Sequence, residues 1–174
     1  MRVDWAPLEE LRAQGLEDLA VLHWEEAEIH KEDVPLALDF ARAIAAEHSG
    51  QHKTCGLWVR NELAGYAAFT IMPALFHRNT LHAFCSAIYV DPDHRGLASY
   101  YLLRWIPEAL EALGVKKVYM ASKPHVHLGS GETSATLADV LQGLGWTLSE
   151  EVYCTLLGAS HGKQRPRSAT VPAA

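Results

Sequence analysis

The residues with the clearest chemical pattern lie between positions 87 and 103. An apolar run ends at Val90-Asp91-Pro92, the loop His94-Arg95-Gly96-Leu97 follows, and a helical run opens near Ser99. The first N–H groups of a helix have no intrahelical partner, and the helix dipole adds about half a positive charge there. The spacing therefore predicts a phosphate or pyrophosphate site, with Arg95 adding a charge-assisted contact. An ordinary strand-to-helix turn, with small residues serving packing, stays open as the alternative.

This run resembles the acetyl-CoA-binding segment of the GNAT superfamily of N-acetyltransferases. The family pattern is a strand ending Val-x-Pro, followed by Arg/Gln-x-x-Gly-x-Gly/Ala at the start of a helix. Val90-Asp91-Pro92 and Arg95-Gly96-Leu97-Ala98-Ser99-Tyr100 stand in those places, with Ala98 and Tyr100 at the two later glycine positions. Leu144-Gly145-Trp146 resembles the family's Leu-Gly-Phe. The likeness covers roughly residues 16–157 and is most similar to small phage and bacterial members.

The resemblance implies an acetyl-CoA-dependent N-acetyltransferase, in which a primary amine attacks the thioester carbonyl directly. It also implies that the fourth and fifth strands splay apart to hold the pantetheine arm. Backbone groups of Ile88, Tyr89 and Val90 would bind that arm. The pyrophosphate would lie against the loop and first helical turn, formed by Arg95, Gly96, Leu97, Ala98, Ser99 and Tyr100.

The acid and the base of such a reaction are harder to assign. The tyrosine that many family members use as the acid falls at Leu141, so Tyr153 is the substitute candidate. His82 on the fourth strand and His127 after the fifth are candidate bases, because histidine titrates near neutral pH. Glu26 on the first long helix is a candidate for binding the amine. Structural roles stay open for all four: a sheet tyrosine, ordinary histidines, and a solvated helix face.

Composition limits the function classes. The 174 residues carry a formal charge of −6, which disfavours a nonspecific nucleic-acid coat and suits a cationic acceptor. Polyamines, aminoglycoside-like molecules, lysine side chains and amine-bearing modified nucleotides all fit. Three widely spaced cysteines without a CxxC, and no apolar leader, lead us to expect a reduced cytoplasmic protein without a membrane anchor. His125-x-His127 lacks a third ligand, so no metal site is expected.

Hydrophobic periodicity predicts a single-domain α/β fold, a mixed β-sheet flanked by helices, in the order β-α-α-β-β-β-α-β-α-β-β. The predicted strands are Arg2–Trp5, Thr54–Arg60, Leu63–Met72, Thr80–Val90, Val115–Ala121, Trp146–Leu148 and Val152–Leu157. The predicted helices are Leu16–Ile29, a second that Asp33 caps and Ser49-Gly50 ends, Ser99–Leu113 and Thr133–Gln142. Pro73–Asn79 is expected to be a loop.

The chain end differs from the rest in charge. From Gly158 onward there is no acid, whereas Lys163, Arg165 and Arg167 are basic. We therefore expect an acetyltransferase domain over residues 1–157 and a flexible basic tail over 158–174. The departures at Tyr100 and Leu141 leave a second function open, a catalytically degenerate GNAT-like module that binds a partner, with the tail as a docking arm. A homodimer is also open.

Overall fold

The computed structural model describes residues 1–74, 77–126, 128 and 135–155. Within them the chain forms five strands, five α-helices and one 3-10 turn at Pro92–His94. The strands are β1 (Arg2–Trp5), β2 (His52–Val59), β3 (Glu62–Ala74), β4 (His77–Val90) and β5 (Val115–Tyr119). The helices are α1 (Leu8–Ala13), α2 (Leu16–Ala27), α3 (Phe40–His48), α4 (Leu97–Ala112) and α5 (Leu137–Gly143).

The strands form one mixed sheet in the order β1-β2-β3-β4-β5. The first four strands pair antiparallel, and β5 pairs parallel with β4. A parallel pair needs a crossover connection, which α4 supplies between β4 and β5. The prediction of a single mixed sheet flanked by helices is confirmed.

Two helical layers cover the sheet, because neighbouring residues of a strand point to opposite faces. On one face, α4 buries Leu102, Leu103 and Ile106 against strand residues such as Leu57 and Phe69. On the other face, α1 and α2 pack over a smaller group of strand side chains. That group is Trp58, Tyr66 and Tyr89. The two layers leave the carboxyl end of β4 between α2 and the start of α4.

The second predicted helix begins later than its sequence indicates. The expected cap, Asp33, lies in a turn whose backbone N–H groups at 33 and 34 donate to the carbonyl of His30. Helix α3 starts at Phe40, and the Asp39 carboxylate caps it by accepting from the Arg42 N–H at 3.0 Å. Both aspartates suit a helix start. The turn at His30 includes the first of them, so the predicted cap was wrong and lies six residues before the actual one.

The two final strands were also wrong over the described residues. Residues 146–155 contain no strand, and Leu148, Val152 and Tyr153 are all exposed. Among the described residues no strand pairs with this apolar alternation, and strand propensity depends on such packing. Residues 156 and 157 lie outside the described part of the chain.

Smaller differences concern the ends of elements. Leu8–Ala13 forms a separate helix, divided from α2 by Gly15 in a left-handed conformation. Strand β3 runs to Ala74 and β4 begins at His77, so most of the segment 73–79, expected to be a loop, belongs to these strands. Leu113, the last residue of the predicted helix, is exposed and caps the end of α4.

Candidate active site

The central feature of the site is the separation of β4 from β5. The two strands pair from Leu81–Val115 to Phe84–Tyr119, and β5 then ends. Strand β4 continues to Val90 and, among the described residues, pairs there only with β3. Backbone N–H and C=O groups on the other side of this stretch of β4 therefore line an open cleft. Unpaired strand edges of this kind can bind an extended ligand by backbone hydrogen bonds.

A β-bulge lies where the two strands separate. Ala68 pairs with Ala87 and Phe69 pairs with Cys85, which leaves Ser86 as the extra residue of β4. The Ser86 hydroxyl donates to the carbonyl of Ala68 at 3.1 Å. A bulge bends its strand and increases the local twist. It thus helps to direct residues 87–90 away from β5.

The cleft encloses a cavity of about 210 Å³. Its wall includes β4 residues 85–90, His23 and Glu26 from α2, and Ser99 from α4. The opposite wall is the segment after β5, where the Lys123 ammonium donates to the carbonyl of Ala27 at 2.7 Å. That contact ties the segment to the end of α2.

The first turn of α4 meets the cleft with unused hydrogen-bonding groups. Gly96 precedes the helix at φ +88°, and the first intrahelical bond runs from the Tyr100 N–H to the Gly96 carbonyl. The Ser99 hydroxyl is buried in the cavity wall and has no hydrogen-bond partner among the described residues. Burial of a hydroxyl without a hydrogen-bond partner costs free energy, so this oxygen is suited to form a hydrogen bond with a ligand. Tyr100 is 47% exposed and lies outside the cavity wall as described.

Arg95 is directed towards α2. Its guanidinium pairs with the carboxylate of Glu26, and its Nε donates to the carbonyl of Val90 at 2.9 Å. The guanidinium carbon also lies 5.5 Å from the centroid of the Tyr89 ring. The structure therefore joins two residues that the sequence assigned to different tasks, pyrophosphate binding for Arg95 and amine binding for Glu26.

His23 is a site residue that the sequence analysis missed. Its Nδ1 lies 2.9 Å from the hydroxyl oxygen of Tyr66, and its ring stacks on Tyr89 with centroids 5.2 Å apart. Burial, and secondarily the charge of Lys123, lowers the pKa of His23. The one available signal was its spacing: His23 precedes Glu26 by three residues, which places both side chains on one face of a helix.

The remaining predicted acid and base candidates lie elsewhere. His82 sits in the paired part of β4, with its ring 5.7 Å from that of Tyr119, and is not in the cavity wall. Tyr153 is 85% exposed, and its hydroxyl donates to Glu151 at 2.6 Å. His127 falls outside the described residues. The roles proposed for these residues stay predictions.

Sequence comparison decides the family. The model of the acetyltransferase (GNAT) family matches residues 16–130. The chain belongs to this family. No curated protein matches the sequence significantly. The resemblance to the GNAT superfamily that the sequence motif indicated is therefore confirmed.

Solved structures share the GNAT fold at low sequence identity. Glucosamine-6-phosphate N-acetyltransferase from Arabidopsis thaliana is 14% identical, with a TM-score of 0.60 over 90% of this chain and 99% of that one. An aminoglycoside acetyltransferase from an uncultured soil metagenomic sample, in complex with sisomicin, is 12% identical, with a TM-score of 0.63 over 89% and 95%. A "predicted acetyltransferase" with acetyl-CoA from Clostridium acetobutylicum is 15% identical, with a TM-score of 0.54 over 92% and 98%.

This GNAT chain departs from the family pattern at three positions, two at the start of α4 and one in α5. Ala98 is buried beneath the first turn of α4, and Tyr100 points to the surface. Leu141, where the tyrosine acid was expected, is buried in the core beside α4. In the described region, no group of three or more His, Cys, Asp or Glu side chains could hold a metal ion.

Proposed function

We propose that this GNAT protein transfers an acetyl group from acetyl-CoA to a primary amine, which attacks the thioester carbonyl directly. The observation that carries the proposal is the edge of β4 that no described strand covers. It runs to the first turn of α4 and to the Ser99 hydroxyl, which has no partner in the described part of the chain. The family typically uses acetyl-CoA, and one solved neighbour contains it.

The residues around the cleft fit the parts of this co-substrate. Backbone groups of Ile88, Tyr89 and Val90 would bind the amide-containing pantetheine arm. The N–H groups at the start of α4, with Gly96, Leu97, Ala98, Ser99 and Tyr100, would bind the pyrophosphate. Arg95 already neutralises Glu26 and holds the Val90 carbonyl, so it would contribute to the phosphate site by positioning the end of β4.

For the acceptor, we propose a small or flexible molecule that carries a cationic amine. Two of the solved neighbours are named for amine-bearing sugars, glucosamine 6-phosphate and an aminoglycoside. The formal charge of −6 would attract a cation by long-range electrostatics. Polyamines and lysine side chains meet the same requirement.

We also propose a reducing, cytoplasmic location. All three cysteines, Cys55, Cys85 and Cys154, are free thiols. Burial raises the pKa of Cys85 to about 12, so its thiol stays protonated at neutral pH. Within the described segments, no helix has both the length and the apolar character needed to cross a membrane.

Thermal unfolding with acetyl-CoA, CoA and ATP tests the proposal. A ligand present at about 100 times its Kd stabilises a protein by about 2.7 kcal/mol. For a chain of this length we expect the Tm to rise by roughly 5–10 °C with acetyl-CoA and CoA, but not with ATP. Acetyl-CoA binding combined with amine-dependent release of CoA would support an enzyme. Binding without turnover of any amine would favour the degenerate binding module, and no shift at millimolar acetyl-CoA would contradict the cleft assignment.

A further inference from the structure

We propose that His23 is the general base of the acetyl transfer, accepting at Nε2 the proton that the acceptor nitrogen loses. The inference rests on the proposed function and adds a catalytic residue to it. It begins from position, because His23 lies in the wall of the cavity that the unpaired edge of β4 forms.

The other titratable groups in the described cavity wall are poor bases. The Glu26 carboxylate is held by the Arg95 guanidinium, and both side chains are largely buried. Burial raises the pKa of Cys85 to about 12 and, together with Glu26, raises that of Tyr89, so both stay protonated. Arg95 and Lys123 are cations. His23 is therefore the group in this wall with a lone pair free at neutral pH.

Two aromatic residues fix the imidazole of His23. The Tyr66 hydroxyl meets Nδ1 at 2.9 Å, and the ring of Tyr89 stacks at an angle of 19°. With the proton on Nδ1 donated to the tyrosine oxygen, the lone pair stays on Nε2, the nitrogen that Tyr66 does not engage. The proposed role requires this tautomer, in which the Tyr66 oxygen accepts the Nδ1 proton. Tyr66 is thus a positioning residue.

Burial and the neighbouring charges together set the pKa of His23 in a range that suits proton transfer. Burial lowers its pKa, Lys123 and Arg95 lower it further, and Glu26 opposes them. A neutral imidazole is therefore present at pH 7. Its conjugate acid is a stronger acid than ordinary imidazolium, so it gives its proton up readily.

The step balances without another reactant. The acceptor reacts as the free amine, after its ammonium group has lost one proton to water. The nitrogen lone pair then forms the C–N bond at the thioester carbonyl, and the nitrogen, now positively charged and acidic, gives a second proton to Nε2 of His23. The C–S bond breaks as the carbonyl re-forms. The departing thiolate takes a proton back from His23, which yields the amide, free CoA and neutral imidazole. One residue thus serves as base and then as acid.

The test compares His23→Gln with His52→Gln. His52 is a matched control: burial also lowers its pKa, and its Nε2 lies 3.0 Å from the hydroxyl of Thr54 on β2, outside the described cavity wall. Wild type and variants are assayed for CoA release with spermidine, glucosamine 6-phosphate, sisomicin and a lysine peptide. Acetyl-CoA affinity is measured for each by calorimetry.

We expect His23→Gln to lower kcat about 100-fold or more, with the Kd for acetyl-CoA within about 3-fold of wild type. His52→Gln should match wild type. The wild-type kcat should fall with decreasing pH, with a midpoint below 6.5, and this acid limb should be absent in His23→Gln. If His23→Gln does not fold, Tyr66→Phe replaces it, with a kcat about 10-fold lower and a shifted acid limb expected.

Turnover in His23→Gln at the wild-type rate would overturn the assignment of His23 and leave the acetyltransferase function intact. A wild-type kcat without an acid limb near or below pH 6.5 would do the same. Failure of the wild type to turn over any of the four amines would instead overturn the proposed function, and the role of His23 with it.

Discussion

Among the individual residues, Ser99 has the surroundings that most clearly indicate contact with a ligand. The residue is 8% exposed, it forms part of the cavity wall, and no described residue hydrogen-bonds to its hydroxyl. In other buried positions of this protein a hydroxyl is satisfied, as Thr54 is by His52 at 3.0 Å. The fold therefore accepts an energetic cost at Ser99 that a bound ligand would remove.

Replacing Ser99 by alanine should weaken acetyl-CoA binding without lowering the free energy of unfolding. In Ser99→Ala, we expect the free energy of unfolding without ligand to stay the same or rise by up to about 1 kcal/mol, because an unsatisfied group is lost. The affinity for acetyl-CoA should fall about 5-fold, which corresponds to one hydrogen bond of about 1 kcal/mol. Urea unfolding and calorimetry measure the two effects.

Thr54→Val is the contrasting variant. It removes a buried hydroxyl that has a partner, so it should cost about 1 kcal/mol of stability and leave acetyl-CoA affinity unchanged. If Ser99→Ala lost stability as Thr54→Val does and kept full affinity, the hydroxyl would have a structural role and no ligand.

At the scale of elements, the cleft depends on how closely β3 approaches the end of β4. A Cβ atom on Gly65 would lie 2.7 Å from the carbonyl oxygen of Tyr89 and 3.1 Å from a methyl group of Val90. A backbone oxygen cannot move aside as a flexible side chain can. Glycine at this position therefore allows β3 to support the part of β4 that borders the cleft.

Gly65→Ala tests this support. We expect the free energy of unfolding to fall by about 1–3 kcal/mol, as for other overpacked sites, and acetyl-CoA to bind more weakly because residues 89 and 90 shift. Gly143→Ala is the control, since nothing lies within 4 Å of a Cβ there and the residue ends α5. It should be neutral or stabilising by up to about 1 kcal/mol. Equal stability of the two variants would show that the close approach is unimportant.

At the scale of the whole molecule, buried histidines connect stability to pH. Burial lowers the pKa of His23 and of His52 from the ordinary value of 6.5. Protonation therefore favours the unfolded chain, in which both imidazoles are hydrated. Their neutral forms contribute stability above pH 6.5, and that contribution is lost as the pH falls from 6.5 through the lower folded-state values.

We expect the free energy of unfolding, measured in urea, to be lower at about pH 5.5 than at about pH 7.5. The double variant His23→Gln/His52→Gln should lose less stability over the same range, because it lacks the two groups. An equal loss in wild type and double variant would assign the pH dependence to other residues. The proposed basic tail and the homodimer belong to this scale and stay predictions.

Local patterns were sufficient for the order of elements as far as α5, except for the additional helix α1, and for the strand-loop-helix motif and family membership. The run from Val90 to Tyr100 holds its strand end, turn and helix start within a few residues, so short-range rules describe it well. The same rules misplaced the cap of α3 and predicted two strands at 146–148 and 152–157. A residue suited to cap a helix does so only where the helix starts, and an apolar segment forms a strand only where another strand can pair with it.

The chemistry of the cleft arises from contacts between distant segments. His23 meets Tyr66 across 43 positions of sequence, and Arg95 meets Glu26 across 69. No periodicity or motif spacing reports on such pairs, and burial, which shifts the pKa of His23, follows from packing alone. Short-range propensity and a family motif thus identify what kind of protein this is. Only long-range packing decides the pairing of Glu26 with Arg95, the exposure of Tyr153 and the place of His23 in the cavity wall, on which its proposed role as the base rests.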